Sequence, residues 1–441
     1  NFRRAQFLDP TSIAAASLVA QTAVAQGKLG EARRALQEIM RVAPESPEVV
    51  FLQGFVDDAA GNFDSAERFF KAALKKNPTH FPSYQSLARL YLKKNKAAEA
   101  QAILAEADGK IPVSPLVRNA QGEAFYAAKQ LDRAQAKFEE AVKLDPRFNE
   151  ALFNLGNVLV ESGNAEAAKQ KFLALQAKDK DFPGLAARLG TLHVALKEYP
   201  QAAEAFDRAV AVEGVSLEIR LAAARAYILA AQPDKAVKQS TLVMEGNPTL
   251  ADAMALRAEA HLAQDKVDEA LIEIQRSVER EKKPEYLIVL GRVQEARKQI
   301  PDAIEAYAQA IQLDPSRQDI RLRRGILLVK SGTVKDGLEE LKQVIHANPN
   351  SALAYLYMGD AQADLNQEAQ ALQSYLTAVG KDPKLAAAHL KIGQIYNDRR
   401  NVAAALPHLQ AAAQHGAPTD PWLAVTAPFA LLTSGSGGEE L

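Results

Sequence analysis

The sequence predicts an all-α fold, a solenoid of antiparallel helix pairs, on three observations. Alanine recurs every 34 residues, at Ala32, Ala66, Ala100, Ala134, Ala168, Ala202, Ala236 and Ala270, and after a one-residue deletion the phase continues through Ala303, Gly337, Ala371 and Ala405. Twelve residues before each of these stands another small residue, Ala20, Gly54, Ala88, Gly122, Gly156, Gly190, Ala224, Ala258, Gly291, Gly325, Gly359 or Gly393. Proline marks a third phase at Pro44, Pro78, Pro112, Pro146, Pro248, Pro315, Pro349 and Pro383. A period of about 20–50 residues is the mark of stacked supersecondary units.

Each element follows from this phase. The first small residue and the Ala lie on two helices of about 12–14 residues, each roughly 20 Å long, whose axes can therefore approach closely. Gly27, Gly61, Gly163 and Gly332, with Asn95 and Asn366, fall between the two helices and tolerate the left-handed backbone that ends a helix. Four residues beyond the Ala stand Leu36, Phe70, Leu104, Phe138, Phe172, Phe206, Ile274, Tyr307, Leu341, Tyr375 and Leu409, expected to fill the space toward the following unit. The proline stops the second helix and lets the next unit begin. One pair cannot bury such a stripe alone, so stacking is compulsory.

Twelve units are expected over residues 13–419, starting at 13, 47, 81, 115, 149, 183, 217, 251, 284, 318, 352 and 386. The 251 unit is one residue short, and the run Arg280-Glu281-Lys282-Lys283-Pro284 fills its junction. Residues 1–12, with Phe2, Ala5, Leu8 and Pro10, are in phase with the second helix of a preceding unit, which reads the chain as part of a longer array. Thr419-Asp420-Pro421 is a helix-start signal, and 420–433, carrying Trp422, Leu423 and Phe429, is expected to cap the last unit. Residues 434–441 read as a flexible Gly/Ser tail.

Composition narrows function. Lys+Arg number 53 against 54 Asp+Glu, a net charge of −1, where a nucleic-acid or anionic-membrane binder would show a basic surplus. Without Cys there is no disulfide framework, thiolate zinc site or cysteine nucleophile. No stretch approaches the roughly 18 apolar residues of a membrane span. His193 and His261 share one phase and read as packing residues, while His408 and His415 are seven apart rather than the four of a helical metal grip. The basic cluster Arg317, Arg321, Arg323 and Arg324 reads as a solvated face balanced by Asp314, Asp319, Glu339 and Glu340. No catalytic, cofactor or metal site is expected.

The phase, the paired small residues, the aromatic and the closing proline resemble the tetratricopeptide repeat (TPR) family, with departures at the large first-helix position, where Arg118, Arg220 and Arg321 stand. The resemblance implies a right-handed superhelix whose first helices line a concave wall, where peptides or partner helices bind. In that register one wall position is mainly apolar: Phe51, Phe153, Leu221, Ile288, Leu322, Leu356 and Leu390. A second, seven residues later, holds Tyr126, Val160, Val194, Ile228, Leu262 and Val329. Between them run Arg89, Glu123, Asn157, Arg225, Glu259 and Arg292. Apolar rails with alternating charges suit an amphipathic helix or an extended segment, though a bulky wall also belongs to the fold itself.

Some TPR proteins hold a chaperone's C-terminal carboxylate with a Lys/Asn/Arg clamp on three successive units. Over units 115, 149 and 183 the phases show Asn119, Glu123, Asn154, Gly184 and Arg188. Only Asn154 and Arg188 match, and Glu123 would repel a carboxylate, so Asn154, Asn157 and Arg188 are read instead as a polar anchor for a ligand backbone or acidic side chain. The asparagine run of TPR sugar transferases is absent: its phase holds Leu52, Ser86, Ala120, Asn154, Arg188 and Ala222. The expected function is a non-catalytic scaffold binding a protein peptide or amphipathic helix, without nucleic acid or direct membrane insertion, and as a monomer. The Ala-rich composition points to a bacterial source, and the family resemblance implies a part in a motility, secretion or envelope-assembly machine. The cytoplasm is the expected compartment, and a start inside a longer protein leaves the periplasm open. The alternatives are the recognition arm of a larger enzyme, or self-association through the wall.

Overall fold

The structure, a computed structural model, describes residues 13–416. The segments 1–12, 420–433 and 434–441, with their expected preceding helix, cap and tail, lie outside the described residues. Two compact bodies divide between Leu196 and Lys197. The first contains α1 (Ile13–Ala25), α2 (Leu29–Val42), α3 (Pro47–Ala59), α4 (Phe63–Lys76), α5 (Phe81–Lys93) and α6 (Ala97–Lys110). It continues with α7 (Pro115–Ala127), α8 (Leu131–Leu144), α9 (Asn149–Glu161), α10 (Ala165–Lys178) and α11 (Leu185–Ala195). The second contains α12 (Tyr199–Val210), α13 (Leu217–Leu229), α14 (Pro233–Gly246), α15 (Ala251–Ala263), α16 (Val267–Arg280) and α17 (Pro284–Ala296). It ends with α18 (Ile300–Leu313), α19 (Gln318–Lys330), α20 (Val334–Ala347), α21 (Ala352–Asp364), α22 (Glu368–Lys381), α23 (Ala386–Asp398) and α24 (Val402–Gln414). Among the described residues there is no strand, and no helix is long and apolar enough to cross a membrane.

The turn inside each pair is set by one left-handed residue. The expected Gly27, Gly61, Asn95, Gly163, Gly332 and Asn366 all have positive φ, and so do Lys129, Lys197, Ala231, Asp265, Lys298 and Arg400 in the same phase. The repeat therefore imposes this conformation even on side chains that pay for it sterically. Between units, an Asp or Asn before the proline accepts a hydrogen bond from the backbone N–H two residues on: Arg147 N to Asp145 Oδ1 is 2.9 Å, and Lys384 N to Asp382 Oδ1 is 2.9 Å. This local turn positions the next first helix. The deleted residue of the 251 unit is lost from the turn alone, since α16 ends at Arg280 and α17 starts at Pro284 while both keep full length.

Packing within a pair obeys a volume rule. A Cβ added at Gly156 would lie inside van der Waals contact with three carbons of the Phe172 ring; Gly122, Gly291 and Gly359 stand in the same relation to Phe138, Tyr307 and Tyr375, and at Gly54 the clash is with two carbons of Phe70. The periodicity places these rings toward the following unit; the structure adds that each also lies over the glycine of its own unit. Where the small residue is Ala, as at Ala20, Ala88, Ala224 and Ala258, the facing phase holds Leu36, Leu104, Ser240 and Ile274, none of them aromatic. One methyl on the first helix and one ring on the second compete for the same space. The arginines at the large position are compensated by polar partners. Arg118 Nη1 reaches Asp108 Oδ2 at 2.5 Å, Arg220 Nη1 reaches Gln239 Oε1 at 2.9 Å, and Arg321 Nη1 reaches Glu340 Oε2 at 2.9 Å.

Within the first body α1, α3, α5, α7 and α9 touch successively, and within the second α13, α15 and α17 do so, while successive second helices make at most marginal contact. Each body thus curves with its first helices inside, which makes their exposed faces an inner wall.

Candidate wall of the first helices

In the first body the wall carries a hydrogen-bonded chain across three helices. Asn154 Nδ2 on α9 donates to Asn119 Oδ1 on α7 at 3.1 Å, Asn119 Nδ2 donates to Glu123 Oε1 at 2.9 Å, and Arg89 Nη2 on α5 lies 3.5 Å from Glu123 Oε2. Glu123 is thus already neutralised by its neighbours. Beside this chain the Tyr126 hydroxyl donates to Glu161, which also faces Lys129 at 3.6 Å. Burial, reinforced by that carboxylate, raises the Tyr126 hydroxyl above the usual phenol range, and Arg188 opposes the shift.

The candidate residues divide by exposure. Phe51 is buried against Phe55, Phe70 and His80, with ring centroids 6.0, 5.7 and 5.2 Å away. Phe153 is half-buried against Phe172 and Phe182 at 5.8 and 5.2 Å, and Val194 is half-buried. Val160, Arg89 and Arg188 are exposed. The Arg188 side chain makes no hydrogen bond or ion pair among the described residues and acts on Tyr126 only through its field, and the half-buried Asn157 keeps its Oδ1 without a hydrogen-bond partner. The polar anchor therefore resolves into an occupied member, Asn154, and two uncommitted ones, Asn157 and Arg188.

In the second body Ile228, Ile288, Val329 and Leu356 are buried, while Leu221, Leu262, Leu322 and Leu390 are half-buried. The apolar rails are hence partly the glue between adjacent helices rather than open surface. The polar row is a buried ion ladder: Glu259 on α15 is 1% exposed, and its Oε1 accepts from Arg292 Nη1 on α17 at 2.6 Å. Burial raises the Glu259 carboxyl above the usual range, opposed by Arg292 and by the field of Arg225 on α13. Farther on, Glu295 accepts from the Tyr307 hydroxyl at 2.5 Å and pairs with Arg323.

The remaining basic cluster is internally paired. Arg317 binds Asp319 at 2.8 Å, and both Arg321 and Arg324 bind Glu340, while Glu339 faces Lys342 instead. His193 is buried. A histidine pair went unread in the sequence: His389 Nδ1 lies 2.9 Å from His408 Nδ1, and His389 Nε2 lies 3.1 Å from the Pro383 carbonyl oxygen. Their separation of 19 residues is the spacing that also joins Arg220 to Gln239 and Arg321 to Glu340 across a helix pair, and that shared spacing is the signal that would have found them. Burial lowers the His408 imidazole below the usual range, with His389 adding to the shift. Among the described residues no group of three His, Asp or Glu side chains could hold a metal ion.

Comparison with known proteins places this geometry. Tetratricopeptide repeat family models match residues 20–81, 119–182, 255–318 and 358–421, and a second such model matches 59–124 and 294–358. The chain is similar to human tetratricopeptide repeat protein 7B, 29% identical over 126 residues that make up 29% of this chain and 15% of that protein. It is similar to the TPR repeat-containing thioredoxin TTL4 of Arabidopsis thaliana, 22% identical over 60% of this chain and 44% of the relative. Cellulose synthase operon protein C of Xanthomonas axonopodis pv. citri (strain 306) is 23% identical over 81% of this chain and 26% of that protein. The chain thus spans less than half the length of each of these relatives. Among solved structures, the anaphase-promoting-complex tetramer Cut9–Hcn1 aligns over 90% of this chain and 86% of its own at a TM-score of 0.41 and 14% identity. Pseudomonas aeruginosa pilF aligns over 49% of this chain and 98% of its own at 0.42 and 20%. Family models matching well over half of the residues, on helix pairs of this phase, show that the chain belongs to the tetratricopeptide repeat family.

Proposed function

We propose that this chain is a non-catalytic protein-interaction scaffold that holds a partner peptide or amphipathic helix against its first-helix wall. One observation carries the reading. On the first body's wall most polar groups satisfy one another, yet Asn157 and Arg188 have no such partner and Val160 stands exposed nearby in sequence phase. Polar groups left uncommitted beside an apolar residue are what a peptide backbone or acidic side chain requires. The similarity to the cellulose synthase operon protein over 81% of this chain supports a bacterial envelope-assembly setting. On this reading the scaffold works as a monomer in the cytoplasm, with the periplasm as the alternative, and engages no nucleic acid.

The test is affinity purification of the Asn157→Ala/Val160→Asp/Arg188→Ala variant from source cells, with co-purifying proteins quantified against the unaltered chain. Loss of partners at unchanged helicity supports the proposal; an unchanged partner set overturns it. A second reading has its own support. The chain spans 44% of a relative named a thioredoxin, so the repeats would then be the recognition arm of a longer enzyme. The mass and activity of the native protein separate the two.

A further inference from the structure

The ion ladder of the second body has an unfilled side. Arg225, Glu259 and Arg292 occupy the same wall position on α13, α15 and α17, so two guanidinium groups flank one carboxylate. Glu259 is almost wholly buried, and its Oε1 accepts a hydrogen bond from Arg292 Nη1 at 2.6 Å. Arg225 acts on Glu259 only through its field, and no hydrogen bond or ion pair among the described residues engages its side chain, whose Nε is buried without a partner. One unit of positive charge is left over in a half-buried setting, where an unpaired charge is costly. Half-buried Leu221 and Leu262 flank this spot in the rails on either side.

We propose that this stretch of wall is a seat for an acidic side chain of the protein partner, an Asp or Glu received by Arg225 and Arg292, with apolar neighbours packing on Leu221 and Leu262. The proposal rests on the reading of the first-helix wall as the partner surface. The arriving carboxylate completes an alternation of charge that the chain leaves one member short. Glu259 is a positioning residue, since it fixes Arg292 without itself facing the partner. A nucleic-acid strand fits less well, because the same three helices present Glu218, Asp252 and Glu285 in their first turns, against a phosphate backbone.

The test is panning of a phage-displayed library of random peptides about 12 residues long against the full chain, followed by affinity measurement of selected peptides. The expected peptides carry Asp or Glu between apolar residues, and their Kd weakens about 10–100-fold on Arg225→Gln and on replacing that acid by its amide. The Arg225 side chain has no intramolecular hydrogen bond to lose, so this variant is expected to keep the fold; it and the Arg225→Gln/Glu259→Gln/Arg292→Gln variant, which removes the whole ladder, are both checked by circular dichroism. Peptides without acidic preference, or unaffected by both variants, overturn the seat. If binding is lost only in the Asn157/Arg188 variant, the seat is overturned and the proposed function stands. If no peptide depends on either wall, both fall. Binding of a labelled oligo-dT that Arg225→Gln abolishes, or doubling of the mass by light scattering that it reverses, overturns the seat in favour of phosphate or of a second copy of the chain.

Discussion

Gly156→Ala is the most informative single change, because two ordinary effects oppose each other there. In a helix interior such a substitution normally stabilises by about 0.5–1 kcal/mol, since Gly loses more backbone entropy on folding. At Gly156, however, the new Cβ would overlap the ring of Phe172, which is fully buried and also packs on Phe153 with centroids 5.8 Å apart. Displacing a caged ring costs about 1–3 kcal/mol. The net expectation is a loss of about 1–2 kcal/mol, opposite in sign to propensity. Repeat arrays open locally, so a single global midpoint is the wrong readout. Native-state hydrogen exchange resolves the unit: amides of α9 and α10 should exchange about tenfold faster, each factor of ten being about 1.4 kcal/mol. Gly380→Ala, where nothing lies within 4 Å of the added Cβ, is the control and should slow exchange in α22. Phe172→Leu should cost less in the Gly156→Ala background than alone, the coupling that a shared space requires. Slower exchange in α9 and α10 of Gly156→Ala would refute the volume rule.

Three further outcomes follow. Ala168 and Ala202 are fully buried, and replacing either with Leu should cost about 1–3 kcal/mol, read as faster native-state hydrogen exchange in α10 or α12; neutrality of both would mean that the small-residue phase does not mark the helix crossings. Ala231 has φ of 55°, so Ala231→Gly should stabilise by roughly 1 kcal/mol despite removing a side chain, measured as slower exchange in α13 and α14; a loss would deny the left-handed turn. His408 should titrate below about 6.5 in imidazole NMR spectra. Because burial depresses its pKa, the unfolded chain binds the proton first, and stability falls as pH drops below the unfolded value. A His408 pKa at or above the ordinary value would contradict the half-buried His389–His408 contact.

The fold was legible because its determinant is a phase: a small residue and an Ala at constant separation require two helices that touch. The left-handed turn was legible only where Gly or Asn marked it; Lys129 and Ala231 adopt it through the repeat, and no local signal announces that. The rings over the glycines were legible only in part, for a different reason. Spacing from Ala168 to Phe172 gives the face of a helix but not which neighbour fills it, and the volume of Gly156 decides that. The wall was legible as a register and not as a surface. Phe51 and Ile288 hold the same phase as Phe153, yet only their packing shows them to be core. The ladder of Arg225, Glu259 and Arg292 was visible as alternating charge, but its burial and its missing partner needed the three helices side by side.

Photo-crosslinking tests the central claim most directly, because two positions in one unit offer equal exposure on different helices. Val160 on α9 and Leu173 on α10 are each 40% exposed. With a benzophenone amino acid placed at either position in source cells, position 160 should capture a discrete partner that Arg188→Ala diminishes, and position 173 should not. Capture at 173 alone, or equally at both and indifferent to Arg188, would contradict the assignment of the first helices as the partner-binding face.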